Sequence, residues 1–258
     1  MKAMLYCIKG SISKKIRRAS FHFDGVYNII AIFTNPFYLI RRNLYNNISD
    51  MSGKVVGKVL DFGCGSKPYT DLFTNCVEYI GCDIKNSGHD HVNETIDVYY
   101  DGDTLPFKDA EFDYIFSSEV FEHIFNLEHM LQELNRVLKQ GGEMLVTVPF
   151  VWNEHEIPYD FGRYTSFGIV DMLKRNGFEI IEQRKSTKYI EALATMFAEY
   201  IRYEFAKHTN SGFVMLLVCM VFIAPVSLVG LCLNKLLPEN DSWYCNNIIR
   251  CTKIKEMS

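Results

Sequence analysis

The 258-residue chain carries 27 Lys and Arg against 31 Asp and Glu, a formal charge of -4. That length holds one α/β domain with an extension, and the acidic balance gives no electrostatic case for nucleic acid. The eight cysteines form no CxxC pair and meet no histidine at zinc spacing, so they read as small thiols of a reducing cytoplasm.

Residues 1–23 place Leu5, Ile8, Ile12, Ile16, Ala19 and Phe23 at three/four spacing, with Lys2, Lys9, Lys14, Lys15, Arg17 and Arg18 mostly opposite. The spacing predicts a helix. Two readings fit its basic face: contact with an anionic membrane surface, or plain solvation beside the domain. No apolar core follows the basic start, so no secretory signal is expected. Residues 26–48 are apolar but broken by Asn35-Pro36 and Arg41-Arg42, and predict a lid or a docked segment. Residues 1–50 are thus an expected N-terminal helical extension to a domain of 51–258.

From residue 55 the pattern alternates between strand and helix. Strands are predicted near 56–62, 78–83, 97–100, 112–117, 143–148 and 178–184, with a last one at 242–251. Helices are predicted near 68–76, 127–139 and 166–176. In the second, Leu127, Met130, Leu131, Leu134, Val137 and Leu138 make one apolar stripe, Asn126 caps the start and Gly141-Gly142 end it. This alternation predicts a doubly wound, mostly parallel sheet whose ligand lies beyond the strand ends.

The first strand runs into Leu60-Asp61-Phe62-Gly63-Cys64-Gly65. Strand, glycine turn and helix let a backbone approach a nucleotide-like ligand. A dinucleotide fingerprint needs a third glycine at position 68; Pro68 stands there. Asp83 ends the second strand, near the offset of an acid that accepts ribose hydroxyls. Next come Asp101-Gly102-Asp103-Thr104-Leu105-Pro106-Phe107, Phe112-Asp113-Tyr114-Ile115-Phe116-Ser117-Ser118-Glu119-Val120-Phe121-Glu122-His123 and Arg136-Val137-Leu138-Lys139-Gln140-Gly141-Gly142.

In order and spacing, these motifs resemble the class I S-adenosylmethionine-dependent methyltransferases of the small-molecule branch, over about residues 55–185. The resemblance implies a Rossmann-like seven-stranded sheet and S-adenosylmethionine as cofactor. It implies that Asp61, Gly63, Cys64 and Gly65 cradle the methionine part and that Asp83 holds the ribose. Asp101 would meet the adenine amino group, with Gly102 and Thr104 beside it and Asp103 as the rival acid. Glu119 and His123 would border the methyl group; Glu122 reads equally as helix-start polarity.

The loop Pro149–Thr165 (PFVWNEHEIPYDFGRYT) follows the fifth strand and faces the same cleft. With Gly88–His91 (GHDH) it resembles methyltransferases of bacterial surface-polysaccharide pathways. His155 is the candidate base for an acceptor hydroxyl, Asp160 or Glu154 its orienter, and Arg163 a clamp for an acidic group. His89 and His91 lack matching acids, so no metal is expected. Phe213–Leu233 holds no charged residue and is long enough to enter a bilayer. Because the last strand should rejoin the sheet, a re-entrant hairpin broken at Pro225 is expected, not a single span. The expected acceptor is a small molecule or lipid-linked glycan, met at the inner face of the cytoplasmic membrane.

Overall fold

A computed structural model describes residues 25–52, 54–85 and 95–254, with side chains from residue 29. Segment 1–23 and the Gly88–His91 motif lie outside the described residues. The chain divides into two units: residues 47–186 with 244–258, and residues 1–46 with 187–243.

The first unit is built on a seven-stranded sheet in the order β3-β2-β1-β4-β5-β7-β6. Its strands are β1 (Gly57–Phe62), β2 (Cys76–Ile84), β3 (Val98–Tyr100), β4 (Phe112–Ser118), β5 (Leu138–Pro149), β6 (Phe178–Lys188) and β7 (Tyr244–Lys253). Strands β1 to β5 pair in parallel, and β7 runs antiparallel to β5. The order reverses between β1 and β4, which opens a crevice at their carboxyl ends. Val59, Leu60, Phe62, Ile115, Met144, Val146 and Ile249 are fully buried along these strands. Continuous apolar runs of this kind suit a sheet covered on both faces.

Two helices of this unit match the sequence reading, α3 (Leu127–Val137) and α4 (Ser166–Arg175). Asn126 caps α3 by accepting from the His129 N–H. The helix ends at Val137, ahead of the expected Gly141-Gly142. Leu138 turns extended there and opens β5, while Gly141, at φ 74°, bends the strand where its register with β4 shifts. The helix expected at 68–76 is only a single 3-10 turn, Thr70–Leu72. Pro68 supplies no N–H, and Thr70 Oγ1 donates to the Lys67 carbonyl at 3.1 Å, a local bond that competes with helix.

The second unit is helical: α1 (Gly25–Thr34), α2 (Tyr38–Ser52, which continues into the first unit), α5 (Tyr189–Ala206) and α6 (Gly212–Leu236). Ala31, Ile32, Tyr38 and Leu39 form one cluster with Ala194 and Leu231; Ala198, Val218, Cys219 and Ile223 form another. A Cβ on Gly230 would lie 2.6 Å from the Ala194 Cβ, so α5 and α6 cross closely because that position has no side chain. Buried Glu199 receives Arg202 at 2.5 Å through both oxygens, and the Arg202 guanidinium covers the Phe37 ring.

Pro225 does not break α6, which corrects the expected hairpin. The preceding turn, Cys219–Ile223, widens to a π-helix. That widening absorbs the missing proline N–H and its ring, and the helix continues for 25 residues.

Candidate active site

The site begins at the turn after β1. Gly63 adopts φ 72°, and its N–H donates to the Cys82 carbonyl at 2.8 Å. A Cβ there would stand 2.3 Å from Val120 Cγ2. The Gly65 N–H donates to Asp83 Oδ2 at 2.8 Å, and the Ile84 N–H donates to Asp83 Oδ1 at 2.7 Å. The carboxylate at the end of β2 is thereby fixed against the glycine turn.

A cavity of about 460 Å³ opens there, the size of a small-molecule site. Of the expected cofactor residues, Gly63, Gly65, Asp83, Gly102 and Glu119 line it. Asp61, Cys64, Asp101 and Thr104 stand outside that lining. Buried Asp61 accepts from the Tyr79 hydroxyl at 2.7 Å, and burial pushes its carboxyl up to about 7. The Cys64 thiol is likewise buried, which pushes its pKa up. Asp101 Oδ1 accepts from the N–H groups of Asp103 and Thr104, which hold its carboxyl low. The rival acid Asp103 does line the cavity, with Oδ1 3.2 Å from His129 Nε2.

The other wall starts at Glu119, at φ 56°. Thr147 and Asn246 each donate to its carboxylate at 2.7 Å. Burial raises its pKa to about 7 against the pull of those two bonds. Asn246 lies far along the chain and is brought in by the pairing of β7 with Pro149; no local motif marks it.

After Glu119 come Glu122 and His123. The His123 Nδ1 lies 2.7 Å from the Tyr159 carbonyl, and its Nε2 lies 3.1 Å from His155 Nε2. His155 Nδ1 is 3.2 Å from Asp160 Oδ2. Asp160 accepts a forked pair from Arg163 at 2.5 and 2.7 Å, and with that partner its carboxyl falls to about 2 despite burial. Arg163 also donates to the carbonyls of Gly162 and Asn153. The guanidinium expected to clamp substrate is therefore a brace of its own loop. The expected base, His155, stands outside the cavity lining, whereas His123, Glu156, Tyr159 and Phe161 lie on it.

Residues 60–146 match the family described as a methyltransferase domain. This segment is a methyltransferase domain. Its cofactor is S-adenosylmethionine, and the side-chain-free turn at Gly63 with the fixed Asp83 carboxylate fits that ligand. The demethylmenaquinone methyltransferase of Staphylococcus haemolyticus is 29% identical over 145 residues, covering 52% of this chain and 59% of that protein. The chain spans about half the length of the curated relatives it matches. Among solved structures, phosphoethanolamine N-methyltransferase 2 of Haemonchus contortus, in complex with S-adenosylmethionine, has a TM-score of 0.51 at 19% identity, covering 92% of this chain and 60% of that one. The cyclase SpnF has a TM-score of 0.53 at 18% identity, covering 81% of each chain. Likeness at this identity establishes the fold; the presence of a cyclase among these structures shows that the fold alone does not name the reaction.

Proposed function

We propose that the whole chain methylates a hydroxyl on a sugar or glycolipid precursor of a cell-surface polysaccharide, working at the inner face of the cytoplasmic membrane. One observation carries the two-reactant reading. A single cavity is lined by Gly63, Gly65 and Asp83 together with His123, Glu156, Tyr159 and Phe161. The first group suits the cofactor, the second an acceptor. The acceptor oxygen attacks the methyl carbon, the carbon–sulfur bond breaks toward the sulfonium sulfur, and the hydroxyl proton must leave. Acceptor activation falls to the imidazole pair, with His123 facing the cavity and His155 behind it, turned by Asp160. Burial first, and then His123, hold the His155 ring below its ordinary pKa, so it is neutral near pH 7. Tyr159 and Phe161 offer ring faces to a sugar.

The membrane assignment rests on α6, 25 residues long, in which Phe213–Leu233 holds no charged residue. It reads as lying in the bilayer surface, not spanning it. Strands β6 and β7 are neighbours in one sheet, so the chain must return to the side it left. Residues 237–243 reach about 25 Å at most, short of the ~30 Å hydrocarbon core. Helix α5 carries Glu191, Glu199, Arg202 and Glu204 and is no second span.

A second reading, a quinone or other lipid-soluble acceptor, draws support from the demethylmenaquinone methyltransferase among the relatives and from the exposed Phe125 and Phe161 rings, 5.3 Å apart. A third, of another class, is a membrane-attached binding protein without turnover. Incubation with labelled S-adenosylmethionine and a panel of nucleotide sugars, lipid-linked sugars and quinones separates them. Label on a sugar supports the first reading, label on a quinone replaces it with the second, and cofactor binding without any labelled product leaves the third.

A further inference from the structure

The two imidazoles and the acid beside them have a geometry that a proton alone explains poorly. The Tyr159 and Asn153 carbonyls, which face the Nδ1 atoms of His123 and His155 at 2.7 and 3.3 Å, can only accept. Each Nδ1 therefore carries its hydrogen, and in neutral rings both Nε2 lone pairs are bare. Those lone pairs face each other at 3.1 Å. Next to them is Glu122, 1% exposed, with neither carboxylate oxygen hydrogen-bonded among the described residues. Its Oε1 lies 3.7 Å from His123 Nε2, and one ligand atom from each of the three residues falls within 4.8 Å of the others. A buried carboxylate without a hydrogen bond is costly to keep.

We propose that Glu122, His123 and His155 bind a divalent first-row transition metal ion beside the cofactor cavity. Two nitrogens about 2.1 Å from one ion, at an angle between octahedral and tetrahedral, lie roughly 3.0–3.4 Å apart, which matches the observed separation. The second contacts of the rings are those of metal-binding histidines, with each Nδ1 on a backbone carbonyl and that of His155 also 3.2 Å from the Asp160 carboxylate. Two imidazoles and one carboxylate leave coordination positions open. His123 and Glu156 line the cavity, so an open position on that side gives onto it. Glu156 Oε2, 4.0 Å from His123 Nε2, is within a side-chain adjustment of becoming a fourth ligand. If methyl transfer to a hydroxyl is the reaction, the ion would take over the activation otherwise left to the imidazoles whose Nε2 atoms it occupies: it would hold the acceptor oxygen and draw charge from its O–H bond, the proton passing to Glu156 as the oxygen takes the methyl group. That use rests on the function proposed above; the metal site does not.

The test is calorimetric titration of metal-stripped full-length protein with Zn²⁺, and with Co²⁺ followed by its visible absorption. The expected result is one ion per chain. His155→Ala and Glu122→Gln should each raise the Kd at least about tenfold, and Asp160→Asn by about tenfold. All three variants should still bind S-adenosylmethionine, which shows that they fold. Absence of saturable binding, or an unchanged Kd in both ligand variants, overturns the site and leaves the pair as an imidazolium–imidazole hydrogen bond. Loss of S-adenosylmethionine binding by the unmodified protein would instead overturn the methyltransferase reading and leave the metal result standing.

Discussion

A methyl group at position 63 would meet Val120 at 2.3 Å on a backbone held at φ 72°. Gly63→Ala should therefore lower affinity for S-adenosylmethionine about tenfold or more, read by titration calorimetry. Gly141→Ala is the control, since its φ of 74° is as strained but nothing lies within 4 Å of the added carbon; its cofactor affinity should hold while its Tm falls. Asp83, the expected ribose acceptor, would act through charge and placement together. Asp83→Ala should weaken cofactor binding by removing the ribose acceptor and by freeing the Gly65 N–H it fixes; an unchanged Kd would remove Asp83 from the site. Asp61 gives a prediction in pH. Burial raises its carboxyl from 3.8 to about 7, so folding favours the protonated form. Its contribution to stability is full below pH 4 and is lost as pH rises through 7. Asp61→Asn keeps an acceptor for Tyr79 and does not titrate, so its Tm relative to wild type should improve between pH 4 and 8. A constant difference across that range would contradict the buried, raised carboxyl.

The loop from Pro149 to Thr165 is held by the ion pair of Asp160 with Arg163, and by the bond from the His155 N–H to Asp160 at 3.0 Å. Truncating Asp160 would strand a partly buried guanidinium. Asp160→Ala should lower the Tm by several degrees and speed proteolytic cleavage within 150–165; equal cleavage rates would mean the loop is held by other contacts. The sequence made the sheet readable because its strands are apolar runs separated by glycine turns and one strongly striped helix. Pairing of the last strand with the sheet was legible too. The failures were local competitions. Thr70 and Pro68 outweighed an expected helix, and Leu138 left its helix for a strand before the glycines could end it. That Gly63, Gly65 and Asp83 meet at one cavity was legible from the two neighbouring strand ends that carry them. The pairing of Arg163 with Asp160 was not legible, because a side chain's partner is not written in its neighbours. Glu122 is separated from ordinary helix-start polarity only by its burial and by carboxylate oxygens without a hydrogen bond among the described residues, and Asn246 only by the register of β7 on β5.

At the scale of the whole chain, apolar surface is distributed unevenly. Phe213, Leu217 and Val221 of α6 are 69%, 44% and 59% exposed, and Phe197 and Tyr200 of α5 are exposed as well. A monomer in water rarely leaves so many large apolar side chains on adjoining helices uncovered. Both ends of the helical insertion return to one sheet, so the surface can be satisfied by shallow insertion without a crossing. The basic residues before Asp24 would add attraction to anionic lipid wherever they lie near that surface. Each apolar side chain moved from water into lipid contributes about 1–2 kcal/mol at this exposure. Replacing Phe213, Leu217 and Val221 together by Ser should therefore cost on the order of 3 kcal/mol, or about a hundredfold in partitioning. Co-sedimentation with anionic phospholipid vesicles reads this directly. The triple variant should stay in the supernatant with its S-adenosylmethionine affinity unchanged, because none of the three residues lines the cofactor cavity. Equal sedimentation of variant and wild type would mean that the exposed face of α6 does not carry the membrane contact, and the lipid-linked acceptor would lose its main support.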